Sequence, residues 1–165
     1  LETIGSVVEL TWDDVLPIWR DVLWPGRISP IKQHSSMRYL GGYDMSVYSN
    51  PVHFWGLRSS DGSVTALTSG FKTSDHLYRS RSIWIHPSLR KRNITRILFD
   101  KTFETAKSQG CTAVWSFPRP SVISSYERYG FRQVSDWVMD GEFGPNCYAI
   151  KHFAERPADA EHATR

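Results

Sequence analysis

The sequence predicts an α+β fold, a mixed and mostly antiparallel sheet of about six or seven strands flanked by helices. Three observations carry this. First, Val64–Lys72 and the run before it, residues 52–58, flank the turn Ser59-Ser60-Asp61-Gly62-Ser63. Second, Leu77–Ile85 follows the turn Thr73-Ser74-Asp75-His76. Short turns between β-rich runs make antiparallel neighbours. Third, a helix-periodic segment joins Ile85 to a further apolar run, 112–117. A connection of that length makes the next strand parallel, and such crossovers are right-handed.

The remaining elements follow in order. Residues 3–10 are β-branched and apolar enough for a first strand. Thr11 reads as a helix N-cap, with Asp14 three residues on and Asp13 favourable in the first turn. Trp12, Val15, Leu16, Trp19, Val22 and Leu23 recur at spacings of three and four, the mark of a helix with one buried face. Pro17 removes a backbone donor inside it, which predicts a bend or a late start, and Pro25-Gly26 ends it. The pattern is weak over 28–50. A second short helix is expected over 31–40, stopped by Gly41-Gly42. Both a wall over a binding cleft and an irregular connection fit the segment. Pro87 cannot continue a central ladder and closes the strand before it. Ile94, Ile97, Leu98, Phe103 and Ala106 give the next helix a broad apolar face, with Gly110 as its C-cap. Residues 131–139 and 147–153 read as a final hairpin around Gly141 and Gly144-Pro145. Residues 1–153 are read as one domain, and the polar stretch 154–165 as a frayed tail.

Composition narrows the function classes. No apolar run approaches the ~20 residues of a membrane span, and residues 1–10 lack the pattern of a signal peptide. A soluble, cytoplasmic protein with no membrane partner is therefore expected. With Cys111 and Cys147 alone there is no disulfide framework and no metal-ligand spacing, and the histidines are scattered, so no metal is expected. The net charge of +3 is mild, but it clusters between Arg90 and Arg96.

That cluster, Arg90-Lys91-Arg92-Asn93, lies between a proline-ended strand and the start of a helix. The first backbone N–H groups of a helix lack internal partners, and the helix dipole adds positive potential, so such a turn attracts phosphate. A solvated charged surface is the plain alternative. A nucleic-acid surface over Arg90 to Arg96 ranks last, because a binding stripe needs basic residues beyond one turn. His86, Asp75 and His76 read as structural or turn residues. Asp44, Tyr43 and Tyr148 could line a second substrate's site, though nothing in their spacing shows it.

Three stretches together carry a family resemblance. Ile83, Ile85 and Pro87 give apolar-x-apolar-x-Pro. Arg90-Lys91-Arg92-Asn93-Ile94-Thr95, with Leu98 on the helix, resembles a pyrophosphate loop of the form Arg/Gln-x-x-Gly-x-Gly/Ala. Tyr126-Glu127-Arg128-Tyr129-Gly130-Phe131 resembles Tyr-Glu-Lys-x-Gly-Phe, the most specific match. The sequence thus resembles the GNAT superfamily of acyl-CoA-dependent N-acyltransferases over nearly all of residues 3–153. It departs from the pattern at Asn93 and Thr95, which replace two small loop residues, and at Arg119 and Val122, where asparagine and alanine are usual. Arg79 stands where the family often carries a carboxylate, and the strand has no Asp or Glu. Asparagine tolerates left-handed backbone, so position 93 is expected to keep the loop's shape.

The resemblance implies a fold, a ligand and roles. The central strand and the strand after the helix splay, with the pantetheine arm of acetyl-CoA lying along Ile83, Trp84 and Ile85 like an added strand. Backbone N–H groups from Lys91 to Thr95, through Arg92, Asn93 and Ile94, hold the pyrophosphate beside Arg90. Tyr126 supplies a proton or hydrogen bond to the leaving thiolate, in preference to a purely packing role. The activity implied is acetyl transfer from acetyl-CoA, as cosubstrate, to a primary amine of a small molecule or protein. A homodimer is left open. The alternative is a degenerate module that binds acyl-CoA, or nothing, without catalysis. The two strands begun by Cys111 and Cys147 are antiparallel neighbours in the resembling fold, which keeps these thiols apart.

Overall fold

In the computed structural model, residues 5–139 and 142–153 are described. Seven strands form one sheet: β1 (Val8–Glu9), β2 (His53–Arg58), β3 (Val64–Lys72), β4 (Leu77–Ile85), β5 (Ala113–Ser116), β6 (Arg132–Gln133) and β7 (Ala149–His152). Their spatial order is β1-β2-β3-β4-β5-β7-β6. All neighbours are antiparallel except β4 and β5, which are parallel, as the long crossover requires. The helices are α1 (Trp12–Ile18), α2 (Ile94–Ser108) and α3 (Ile123–Arg128). The fold is the mixed-sheet α+β class that the sequence predicts.

Each face of the sheet is closed by a different set of side chains. On one face Phe99 and Ala106 of α2 and Tyr126 of α3 pack with Tyr78, Val114 and Phe131, while Leu98 and Ile94 of α2 pack with Leu57 and Ala66. On the other, Val15 and Trp19 pack with Phe54 and Leu67, and Trp115 packs with Tyr148. Thr11 and Asp14 form the expected reciprocal capping box. Pro17 does not break the helix. The chain widens instead into a π-helical turn, Trp19–Leu23, in which the Trp24 N–H reaches back five residues to the Trp19 carbonyl at 2.8 Å.

The expected helix over 31–40 is absent, which corrects that reading. One buried donor and one tight turn account for it. Arg81 Nη1 donates to the carbonyls of Lys32 (2.6 Å) and Gln33 (3.1 Å), drawing this backbone toward the sheet in an open conformation. Further along, Leu40, Gly41 and Gly42 adopt positive φ in a tight turn that brings Met37 opposite Tyr43. The only helical turn of this region is the 3₁₀ segment Met45–Ser49, capped by Asp44.

The closing hairpin is shorter than the sequence suggests. Arg132 and Gln133 pair with Ile150 and Ala149, and Val138 pairs with Asn146 as an isolated bridge. The expected strand over 3–10 is likewise reduced to Val8–Glu9 among the described residues, and Gly141 and the tail 154–165 lie outside them. Ala113 pairs with His152 and Ser116 with Ala149, so Cys111 and Cys147 fall at opposite ends of the β5–β7 ladder, buried as free thiols. Among the described residues, no helix is long and apolar enough to cross a membrane.

Candidate active site

The site begins with a defect in the sheet. Thr68 pairs with Ile83 but Ser69 pairs with Arg81, so Ser82 is an extra residue in β4, with φ of 64°. A non-glycine residue in that region is strained unless its surroundings fix it. Here two hydroxyls do so: Thr68 donates to the Ser82 carbonyl at 2.9 Å and Ser69 to the Arg81 carbonyl. Pairing of β4 with β5 has already ended before this bulge, at Arg79 opposite Trp115. Ile83, Trp84 and Ile85 are still paired to β3 on one side, while no strand among the described residues pairs with their other edge.

The open edge leads into the basic turn. After the short 3₁₀ segment Pro87–Leu89, both Lys91 (φ 67°) and Asn93 (φ 60°) are left-handed. Asparagine thus supports at position 93 the backbone expected of a glycine. No side chain caps α2, and the N–H groups of Lys91, Asn93, Ile94 and Thr95 have no protein acceptor among the described residues. Consecutive unpartnered donors at a helix start form an anion cradle.

A cavity of about 740 Å³ joins these features. Of the residues expected at the site, Ile83, Trp84, Ile85, Arg90, Lys91, Asn93, Ile94, Thr95 and Tyr126 line it together, and Arg92 does not. Sequence reasoning missed the wall formed by Leu23, Phe99, Ser121 and Ser125. Leu23 comes from the end of the π-helical turn, and no sequence pattern marks that long-range approach.

Tyr126 stands where this cavity meets a second, of about 190 Å³; Leu23, Ile83, Ser121, Val122 and Tyr126 line both. Its ring is wedged against Phe99 and Phe131 at centroid distances of 5.2 and 5.1 Å, leaving the residue 4% exposed. Burial raises its phenol pKa above the ordinary value, against smaller opposing effects of Ser116 and Arg79, so the group is a proton-bearing phenol at neutral pH. Tyr43 and Asp44 line neither chamber, nor does Tyr148, which packs in the core.

The face of β4 turned to α1 carries two buried arginines. Arg79 lies 4.8 Å from the Trp115 ring centroid, and Arg81 lies 4.9 and 5.1 Å from those of Trp19 and Trp24. Each is 6% exposed and neither has an ion-pair partner among the described residues. Burial pulls the Arg79 guanidinium down to about 10, which still leaves it charged at neutral pH, and lowers Arg81 as well. Among the described residues no aspartate or glutamate lines either chamber, and none cluster with His or Cys to hold a metal ion.

Comparison with known proteins agrees with this arrangement. The profile of the Acetyltransferase (GNAT) family matches residues 16–131. A Lactobacillus plantarum protein provisionally named an N-acetyltransferase shares the fold with a TM-score of 0.64 at 14% identity, over 90% of this chain and 99% of that one. A nourseothricin acetyltransferase aligns with a TM-score of 0.55 at 18% identity, over 61% of this chain and 65% of that one. The Thermoplasma acidophilum paia N-acetyltransferase, solved with coenzyme A, aligns with a TM-score of 0.52 at 14% identity, over 62% of this chain and 61% of its own. No curated protein matches the chain in sequence. With the profile spanning more than half of the 165 residues, the chain belongs to the GNAT acetyltransferase family.

Proposed function

We propose that the protein is an acetyl-CoA-dependent N-acetyltransferase acting on a primary amine. One observation carries the reading: the anion cradle, the unpaired edge of β4 and Tyr126 share one cavity. Together they suit a ligand with a pyrophosphate, an amide-bearing arm and a thioester.

When bound, acetyl-CoA supplies a thioester carbonyl from which an amine nitrogen displaces the sulfur: a C–N bond forms, the C–S bond breaks, and a thiolate leaves. The chain does the rest. The N–H groups of Lys91, Asn93, Ile94 and Thr95, backed by Arg90 and Lys91, neutralise phosphate charge. The open edge of Ile83–Ile85 takes the arm's amides as a sheet takes a strand. Tyr126 gives its proton to the departing sulfur and regains one from the acylated nitrogen or from water, so protons balance. An acceptor entering as the free amine needs no carboxylate, and none lines either chamber among the described residues.

The absent carboxylate also keeps open the second reading, an acyl-CoA-binding module without turnover. Thermal unfolding with acetyl-CoA, followed by free-thiol release with a panel of amines, separates them. Acetyl-CoA at about a hundred times its dissociation constant contributes roughly 2.7 kcal/mol, several degrees for a domain of this size. A stabilised protein that releases thiol with an amine supports the enzyme; stabilisation without release from any amine supports the module; no stabilisation at millimolar acetyl-CoA removes both.

A further inference from the structure

We propose that the acceptor is a small amine that also carries an anionic group, a carboxylate or a phosphate, and that Arg119 binds this anion in the smaller chamber. This rests on the acetyl-transfer reading above and names the substrate class of the same site.

The smaller chamber lies beyond Tyr126 from the anion cradle, where an amine must stand to meet a thioester placed at that hydroxyl. Its volume, about 190 Å³, suits a molecule the size of an amino acid. Besides Tyr126, the one ionisable side chain lining it among the described residues is Arg119. Arg119 is half-buried and held in place: Nη2 donates to the Leu23 carbonyl at 3.3 Å, and the guanidinium lies 5.2 Å from the Phe143 ring centroid. Nε and Nη1 have no protein acceptor among the described residues, and two such donors match a carboxylate or phosphate edge.

Three further groups favour an anion here. Ser82 lines the chamber, and its Oγ is buried without a hydrogen-bond partner among the described residues. Behind it on β4, Arg79 and Arg81 place two guanidinium charges in the protein with no carboxylate paired to them among the described residues. Arg79 Nε and Nη1 are buried and have no acceptor among the described residues. Uncompensated buried charge is unfavourable, and an anion brought by the substrate relieves it. Glu142, whose carboxylate is close enough to feel Arg27, is already bound to the N–H groups of Ile28 and Ser29 at 2.9 and 2.7 Å. The same positive field disfavours the ammonium form, favours the free amine that the nucleophile must be, and repels polycations.

The test compares matched acceptors by free-thiol release from acetyl-CoA: alanine against alaninamide, O-phosphoethanolamine against ethanolamine, and spermidine as a polycation. The two anionic members distinguish carboxylate from phosphate. At least one anionic acceptor should exceed its uncharged partner by about tenfold or more in kcat/KM, as a charge-assisted hydrogen bond allows. Arg119→Gln should erase that preference by raising KM for the anionic acceptor. Its thermal shift with acetyl-CoA should match the parent's, because Arg119 does not line the larger cavity, and that shift also shows the variant is folded. A preference for spermidine or for the uncharged partners, or an anion preference that survives Arg119→Gln, overturns the proposal. So does acetyl-CoA binding without thiol release from any anionic amine, which leaves the coenzyme site standing. Failure of acetyl-CoA to bind at all removes the acetyl-transfer reading and this proposal with it.

Discussion

Ser116 Oγ donates to the Ser80 carbonyl at 2.9 Å and lies 3.3 Å from the Tyr126 hydroxyl oxygen. A serine has one proton, and a carbonyl can only accept, so the shorter contact takes it. Tyr126 then keeps its own proton at the junction of the two chambers, anchored by an oxygen that can receive it. Tyr126→Phe keeps the ring's packing against Phe99 and Phe131 and removes only the hydroxyl. Turnover should fall about a hundredfold or more, in kcat and kcat/KM together, with acetyl-CoA affinity little changed. Tyr129 also lines the larger cavity, 5.3 Å from Phe99, and is the natural control. Full activity in Tyr126→Phe, measured by thiol release, would refute its role; an equal loss in Tyr129→Phe alone would transfer it.

The raised phenol pKa of Tyr126 gives the pH profile a sign. The acid must be protonated to act, and burial holds it so beyond the ordinary phenol value near 10. The kcat profile should therefore show no falling limb from this group below pH about 10. Stability has the same sense. Tyr78 and Tyr126 both have folded pKa values raised by burial, so their contribution is fully present below the unfolded value and is lost as pH rises through the folded ones. Urea midpoints should be insensitive to these groups up to pH about 10 and fall above it.

Asn93 tests the cradle's backbone. At φ 60° a β-branched residue is strained by about 1–2 kcal/mol, whereas glycine is not. Asn93→Val should lower stability by that amount and weaken acetyl-CoA binding, while Asn93→Gly should bind at least as well as the parent. Equal affinity in all three, by titration calorimetry, would mean that the turn's left-handed shape does not matter for the ligand.

Far from the cleft, Thr11 and Asp14 secure α1. Thr11→Ala removes the hydroxyl that accepts from the Asp14 N–H at 3.2 Å, and should cost about 1 kcal/mol. Asp14 accepts from the Thr11 N–H and from Arg58, which hold its pKa below the usual carboxylate value. A lowered folded pKa stabilises above the unfolded value and loses that contribution as pH falls through the folded one. The stability gap between the parent and Asp14→Asn should therefore narrow on acidification below pH about 4, as followed by circular dichroism.

Much of this fold was legible because local signals agreed with it. Val64–Lys72 and Leu77–Ile85 run between glycine, serine and proline stops, and their observed bounds coincide with the expected ones. Thr11, Gly110 and Gly130 mark helix ends by chemistry that needs no tertiary context. What failed depended on distant partners. Residues 31–40 lost their helix to a buried arginine 48 and 49 positions away along the chain. The strand bulge at Ser82 is held by hydroxyls of another strand. The basic turn was found, yet composition alone could not tell that Arg90 and Lys91 line the cavity while Arg92 does not. Arg119 stood out only as a departure from the family pattern; its place in the smaller chamber depends on Leu23, brought in from 96 positions away.

The most direct measurement is a titration of the isotope-labelled protein with coenzyme A, following backbone amide resonances. The account predicts that the amides of Lys91, Asn93, Ile94 and Thr95 shift most, with the exposed edge of Ile83–Ile85 following as the pantetheine arm settles. Amides of β1 and the β2–β3 turn should stay still. Saturable shifts confined to another surface, or none at millimolar coenzyme A, would contradict it.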